Sequence, residues 1–152
     1  SVKAQAGFTV GDGPFAGKQV PMEEDDTWII LLHHGNGVIS SVEANNSVQS
    51  SKAPQLELFG LKGTLALNVI DCAAPIDVLQ TDKGWDWQSV PVPHERAGGP
   101  DHILGVQHLV ECVQTGTSPV LSIAHAAHVI EILDAAAVSS ATGNAVTINS
   151  TF

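Results

Sequence analysis

Tyrosine is absent from this 152-residue sequence, cysteine occurs twice, methionine once, and lysine and arginine together only six times against sixteen acids. The shortage of cations excludes a nucleic-acid binder. Displacing counterions from phosphates needs a basic surface, and a chain of formal charge −10 has no basic run to offer. An anionic membrane surface is excluded on the same ground. Cys72 and Cys112 lie far apart and form no C-x-x-C, so they read as two reduced thiols of a cytoplasmic protein rather than a disulfide. No stretch approaches the ~18 apolar residues that span a bilayer, and no basic-then-apolar leader opens the chain. The expectation is a soluble protein. No G-x-S-x-G elbow is present, and the serines have no recognisable orienting partner, so Ser-His-Asp catalysis has no support.

What is present is globular. A hydrophobic share of 43% and a charged share of 14% suit one domain over residues 1–152 with a real core. The chain opens on Ser1, with strand-like sequence already at Val2, as expected of a processed chain or one cut from something larger.

Alternation predicts a strand over 2–11, a Gly/Pro-rich loop over 11–21, and an acidic, solvated approach at Met22–Asp26. Strands at 27–34 and 37–48 flank Gly35-Asn36-Gly37, a tight-hairpin signal. A second hairpin brackets Gly60-Leu61-Lys62-Gly63, with Leu56, Leu58, Leu65 and Leu67 on one face and the two glycines supplying backbone freedom for the bend. A third joins strands at 75–81 and 85–92 through Asp82-Lys83-Gly84. Helical spacing starts at Pro100, with Asp101 in the first turn and Ile103, Val106, Val110 and Val113 as the inner face, and stops at Gly116 and Pro119. A longer helix runs from a Ser122 cap to Thr142, with Ala126, Val129, Ile130, Leu133 and Ala137 as its buried stripe and Gly143 ending it. A last strand follows at 145–149. This order predicts an α+β fold: a mostly antiparallel open sheet with helices packed on one face. The run TWIILL is apolar at both parities, so the other face is available for oligomerisation.

In order and spacing, several motifs resemble the C-terminal domain of the glucose–fructose oxidoreductase/inositol dehydrogenase (Gfo/Idh/MocA) family. They are Asp25-Asp26 before a strand, Asn36-Gly37, Gly60-Leu61-Lys62-Gly63-Thr64-Leu65, Leu109 to Gly116, Pro119 to Ser122, and Ser140-Ala141-Thr142-Gly143-Asn144-Ala145-Val146. The resemblance covers nearly the whole chain. It implies a domain that closes the substrate side of an NAD- or NADP-dependent oxidoreductase acting on a sugar, cyclitol or related polar metabolite, and that joins subunits into a homo-oligomer. The cofactor is then bound by an N-terminal Rossmann domain. No G-x-G-x-x-G follows a strand here, and the family's Glu-Lys-Pro segment and Asp-x-x-x-His helix are missing, so this chain is expected to hold no cofactor and to be inactive alone.

Within that resemblance, His94, Arg96 and His102 lie ahead of the Leu109–Gly116 helix motif in a segment that can approach substrate, and Lys52 lies where relatives carry a tyrosine near it. These four are the substrate-binding candidates; the plain reading is a solvated polar loop and a solvated lysine. No catalytic residue is assigned. His33 and His34 are strand neighbours pointing to opposite faces. His125 and His128, with Glu131 three residues on, have zinc-compatible spacing. Zinc needs three or four converging ligands, so an exposed polar edge is the simpler account and no metal site is assigned. Trp85 and Trp87 share one strand face, suited to packing more than to stacking on a sugar. Two competing readings remain: a non-enzymatic assembly module using the same fold, and a small metal-dependent enzyme built on His33, His34, His125 and His128.

Overall fold

The computed structural model describes residues 1–71, 73–92 and 102–152. It is α+β, and every strand pairing among the described residues is antiparallel. The chain forms two compact units, one of residues 1–49 with 120–152 and the other of residues 50–119.

In the first unit, β1 (Gly7–Thr9) pairs with β2 (Gln19–Pro21), and β3 (Thr27–Gly35) with β4 (Val38–Asn45). Asn36 and Gly37 both have positive φ, 50° and 78°, which matches the right-handed twist of the flanking strands and closes the β3–β4 hairpin in two residues. A bulge between His33 and Gly35 precedes the turn. Trp28, Ile30 and Leu32 lie on the half-buried face of β3, while Ile29 and Leu31 stand out at 69% and 75% exposure. This is the two-sided apolarity of TWIILL.

The second unit carries β5 (Leu56–Gly60), β6 (Gly63–Leu67), β7 (Ile76–Gln80) and β8 (Gln88–Val90) as one four-stranded sheet in that order. Leu56 faces Leu67 and Leu58 faces Leu65, as alternation predicts. The glycines of the hairpin act differently from expectation, for neither Gly60 nor Gly63 has positive φ. At Gly63 the requirement is space: a Cβ there would sit 2.0 Å from the Leu79 carbonyl oxygen on β7. Trp85 and Trp87 precede β8 instead of lying in it, and both are exposed.

Helix α1 (Ile103–Thr115) has His102 at its N-cap, later than the predicted start; Pro100 and Asp101 lie outside the described residues. Helix α2 (Ile123–Thr142) has the expected cap, the Ser122 hydroxyl accepting from the His125 N–H at 3.1 Å. Both helices end on a left-handed glycine, Gly116 and Gly143.

Each helix turns a different face inward from the one predicted. On α1 the covered residues are Leu104, His108 and Cys112, and the stripe Ile103–Val106–Val110–Val113 is exposed. On α2, His125, His128, Ile132, Ala135, Ala136 and Ser139 are half-buried, and Val129, Ile130 and Leu133 are exposed. Apolar side chains line more than one side of each helix, so periodicity alone does not say which side meets its own chain. Among the described residues the predicted strands also divide among three sheets instead of one, and residues 145–149 form no strand. Among the described residues only Cys112 and Asp26 are buried.

Candidate functional site

Lys52 sits in a short irregular stretch ahead of β5 and is exposed. The Ser51 hydroxyl accepts from the Ala53 N–H at 3.1 Å, a local turn that leaves the lysine between them in solvent. Behind it, the Gln55 side-chain carbonyl accepts from the N–H groups of Val69 and Ile70 at 2.8 and 3.2 Å, tying the corner after β6 to the entry of β5. His102 is exposed at the N-cap of α1 and makes no side-chain capping bond. Among the described residues no hydrogen bond or ion pair joins Lys52 to His102. His94 and Arg96 lie outside the described residues. The four predicted substrate contacts are thus represented by two separate exposed cations or imidazoles, with no catalytic pair between them.

The polar edge of α2 is more built. His125, His128 and Glu131 follow one another at three-residue intervals on one side of the helix, and residues 149–152 return along it. The two Glu131 carboxylate oxygens accept from the N–H groups of Asn149 and Ser150 at 2.8 and 2.9 Å. His128 Nδ1 lies 2.8 Å from the Ser150 hydroxyl. The Phe152 ring stacks on the His125 imidazole with centroids 4.3 Å apart and planes 5° from parallel. The side chains that spacing offered to zinc therefore hold residues 149–152 of the same chain, and they are half-buried instead of forming an exposed edge. The three-residue spacing of these polar groups on an alanine-rich helix was the available signal; the partner segment was not foreseeable.

Glu131 is held down to about 2 from its ordinary 4.5, first by the Ser150 side chain, then by the Asn149 and Ser150 N–H groups, with a smaller contribution from the field of His128. A carboxyl whose folded pKa is depressed contributes stability above its unfolded pKa and loses it on acidification. The attachment of residues 149–150 is therefore expected to be complete above about pH 4.5 and to fail as pH falls through about 2. An NMR titration of the Ser150 amide checks this, with Glu131→Gln abolishing the transition; a midpoint near 4.5 contradicts it.

Beside this edge lies a cleft of about 850 Å³ within the first unit, lined by β3 from Trp28 to His34, by α2 from His128 to Ser140, and by residues 143–148. The His34 imidazole uses Nε2 on the Ser40 hydroxyl at 2.8 Å, and His33 Nδ1 accepts from the Gly35 N–H at 3.3 Å. Both contacts are local to the hairpin. Among the described residues no group of three or more histidine, cysteine, aspartate or glutamate side chains is arranged to hold a metal ion.

Two further placements were not legible in the sequence. Asp26 is buried instead of solvated, its carboxylate accepting from the N–H groups of Ala4 and Gln5 at 2.7 and 3.0 Å and from the Thr27 hydroxyl at 3.2 Å. Those bonds, the one from Ala4 foremost, hold its pKa below 3.8 against the opposing effect of burial. Nothing in the run Glu23-Glu24-Asp25-Asp26 distinguishes this acid from its neighbours. In the second unit, the buried Cys112 thiol lies 3.5 Å from Nε2 of His108, one helical turn back.

A dinucleotide cradle requires a parallel strand, a glycine-rich turn and a helix N-terminus in succession. Among the described residues α2 starts after Ser122 with no glycine-rich turn ahead of it, and all ladders are antiparallel. The residues described here do not fit a nicotinamide dinucleotide. No helix among them is long and apolar enough to cross a membrane. Residues 1–148 match the family model described as the oxidoreductase family, C-terminal alpha/beta domain. Neither a curated protein nor a solved structure matches the chain.

Proposed function

This chain belongs to the Gfo/Idh/MocA oxidoreductase family as its C-terminal alpha/beta domain, and on that premise we propose that it forms the substrate-side and subunit-joining part of an NAD(P)-dependent enzyme acting on a sugar, cyclitol or related polar metabolite. The observation that carries the reading is a family match over 148 of 152 residues in a chain whose described residues offer no cradle for a dinucleotide. The nicotinamide supplies the hydride chemistry and is bound by a separate Rossmann domain of the same protein. What this chain contributes is a wall of the substrate site and surfaces for neighbouring domains and subunits.

The exposed apolar stripes of α1 and α2 support a second surface meeting these helices, because stripes such as Val129–Ile130–Leu133 are costly to leave in water. Ile29 and Leu31 on the outer face of β3 support contact with another subunit in the same way. The enzyme is placed in the cytoplasm, with a small-molecule substrate and no nucleic-acid or membrane partner.

Lys52, His94, Arg96 and His102 are assigned to the substrate's polar groups. Steady-state kinetics of the full-length enzyme with a panel of polyols, sugars and sugar acids tests the assignment. Lys52→Ala is expected to raise KM for an anionic substrate about threefold to fivefold with kcat nearly unchanged, the size of one solvent-screened charge contact. An unchanged KM across the panel removes Lys52 from the site.

A further inference from the structure

Residues 143–148 form one wall of the cleft between β3 and α2, yet they belong to no strand and join no ladder. The wall is held at its ends. At Gly143 the N–H donates to the Ser139 carbonyl at 2.8 Å, closing α2. At the other end are the contacts of residues 149–152: two N–H groups on the Glu131 carboxylate, the Ser150 hydroxyl on His128, and the Phe152 ring on His125. His128 itself lines the cleft, so the anchor and the wall meet there. Residues 149–152 lie just beyond the matched residues 1–148.

We infer that residues 149–152 are a strap, locked on His125, His128 and Glu131, that sets the wall of this cleft, so that release of the strap opens the space between β3 and α2. A segment without ladder bonds stays ordered only while both ends are fixed, because freeing one end restores its backbone entropy. The anchors differ in kind: a charge-assisted pair of bonds, a hydroxyl–imidazole contact and a ring stack. Loss of either Glu131 or Phe152 therefore weakens the strap by a separate route.

The test uses the full-length protein and two readouts. Amide hydrogen exchange at Asn149 and Ser150 reports docking of the strap. Hydroxyl-radical oxidation of Trp28, which lines the cleft, reports its opening, with the exposed Trp85 and Trp87 of the other unit as internal references. Glu131→Gln and Phe152→Ala are each expected to raise exchange at 149–150 about tenfold and Trp28 oxidation about twofold or more, leaving both reference tryptophans unchanged. Asp134→Asn, at an exposed position of α2 whose side chain makes no hydrogen bond to residues 149–152, is expected to change neither readout. The inference is overturned if exchange rises while Trp28 oxidation stays at its starting value, since the segment then frays without forming the wall. It is equally overturned if Phe152→Ala, which leaves the carboxylate lock in place, and Glu131→Gln both leave the exchange unchanged.

Discussion

Replacing Gly63 by alanine is expected to cost about 3 kcal/mol, whereas the same change at Gly60 stays within about 0.5 kcal/mol of the parent. The two residues flank one turn and pair with each other across it, but their surroundings differ. A Cβ on Gly63 would meet the Leu79 carbonyl oxygen at 2.0 Å and the Leu79 carbonyl carbon at 3.1 Å, both backbone atoms of the adjacent strand. No side chain can rotate away to make room. Strand β6 lies between β5 and β7, so it cannot relax without breaking a ladder on one side. At Gly60 the nearest atom is 3.5 Å away, an ordinary contact, and the φ angle is one any residue adopts. Denaturant unfolding of both variants decides the matter; equal stabilities mean that β6 and β7 are not this close.

The second large effect is expected at Asp26. Its carboxylate accepts from two backbone N–H groups and a hydroxyl, and the isolated bridge between Val2 and Thr27 lies alongside. Removing the acceptor leaves the Ala4 and Gln5 N–H groups without these partners, which is costlier than never having formed the bonds. Asp26→Ala should therefore lower the melting temperature clearly. Asp26→Asn should not restore it, because an amide nitrogen replaces one of the two accepting oxygens with a donor. Since the folded pKa lies below 3.8, the contribution is fully present above that value and lost as pH falls through the depressed one. Thermal melts from neutral to strongly acid pH should show the gap between parent and variant narrowing at the acid end. A gap that stays constant across the series contradicts the role of the ionised carboxylate.

The elements governed by local chemistry were legible in the sequence. Asn36-Gly37 demanded a tight hairpin, Ser122 a helix start and Gly143 a helix end, and all three stand where the residue types require. The leucine pairs of β5 and β6 followed from alternation. What sequence could not resolve was the partner of each surface. Two-sided helices expose the stripe expected to be inside, because which side faces inward depends on chain that is distant in sequence. Asp26 and Glu131 looked like solvated acids because their partners are backbone N–H groups, which leave no trace in residue identity. Gly63 was read as a source of freedom, when its need is for the absence of a side chain.

The candidate site followed the same division. Lys52 and His102 occupy exposed positions, as polar residues in such segments do, but nothing local draws them together. The α2 histidines, which carried the metal alternative, have their own partners in Ser150 and Phe152.

The most direct test is a fluorescence or calorimetric titration of NADH and NADPH into two samples, the full-length protein and the isolated chain 1–152. Saturable binding of one nucleotide by the full-length protein, with none by the isolated chain, is the result predicted for a substrate-side domain whose cofactor is held by its neighbour. Tight, stoichiometric binding by residues 1–152 alone, or no binding by the full-length protein, contradicts it.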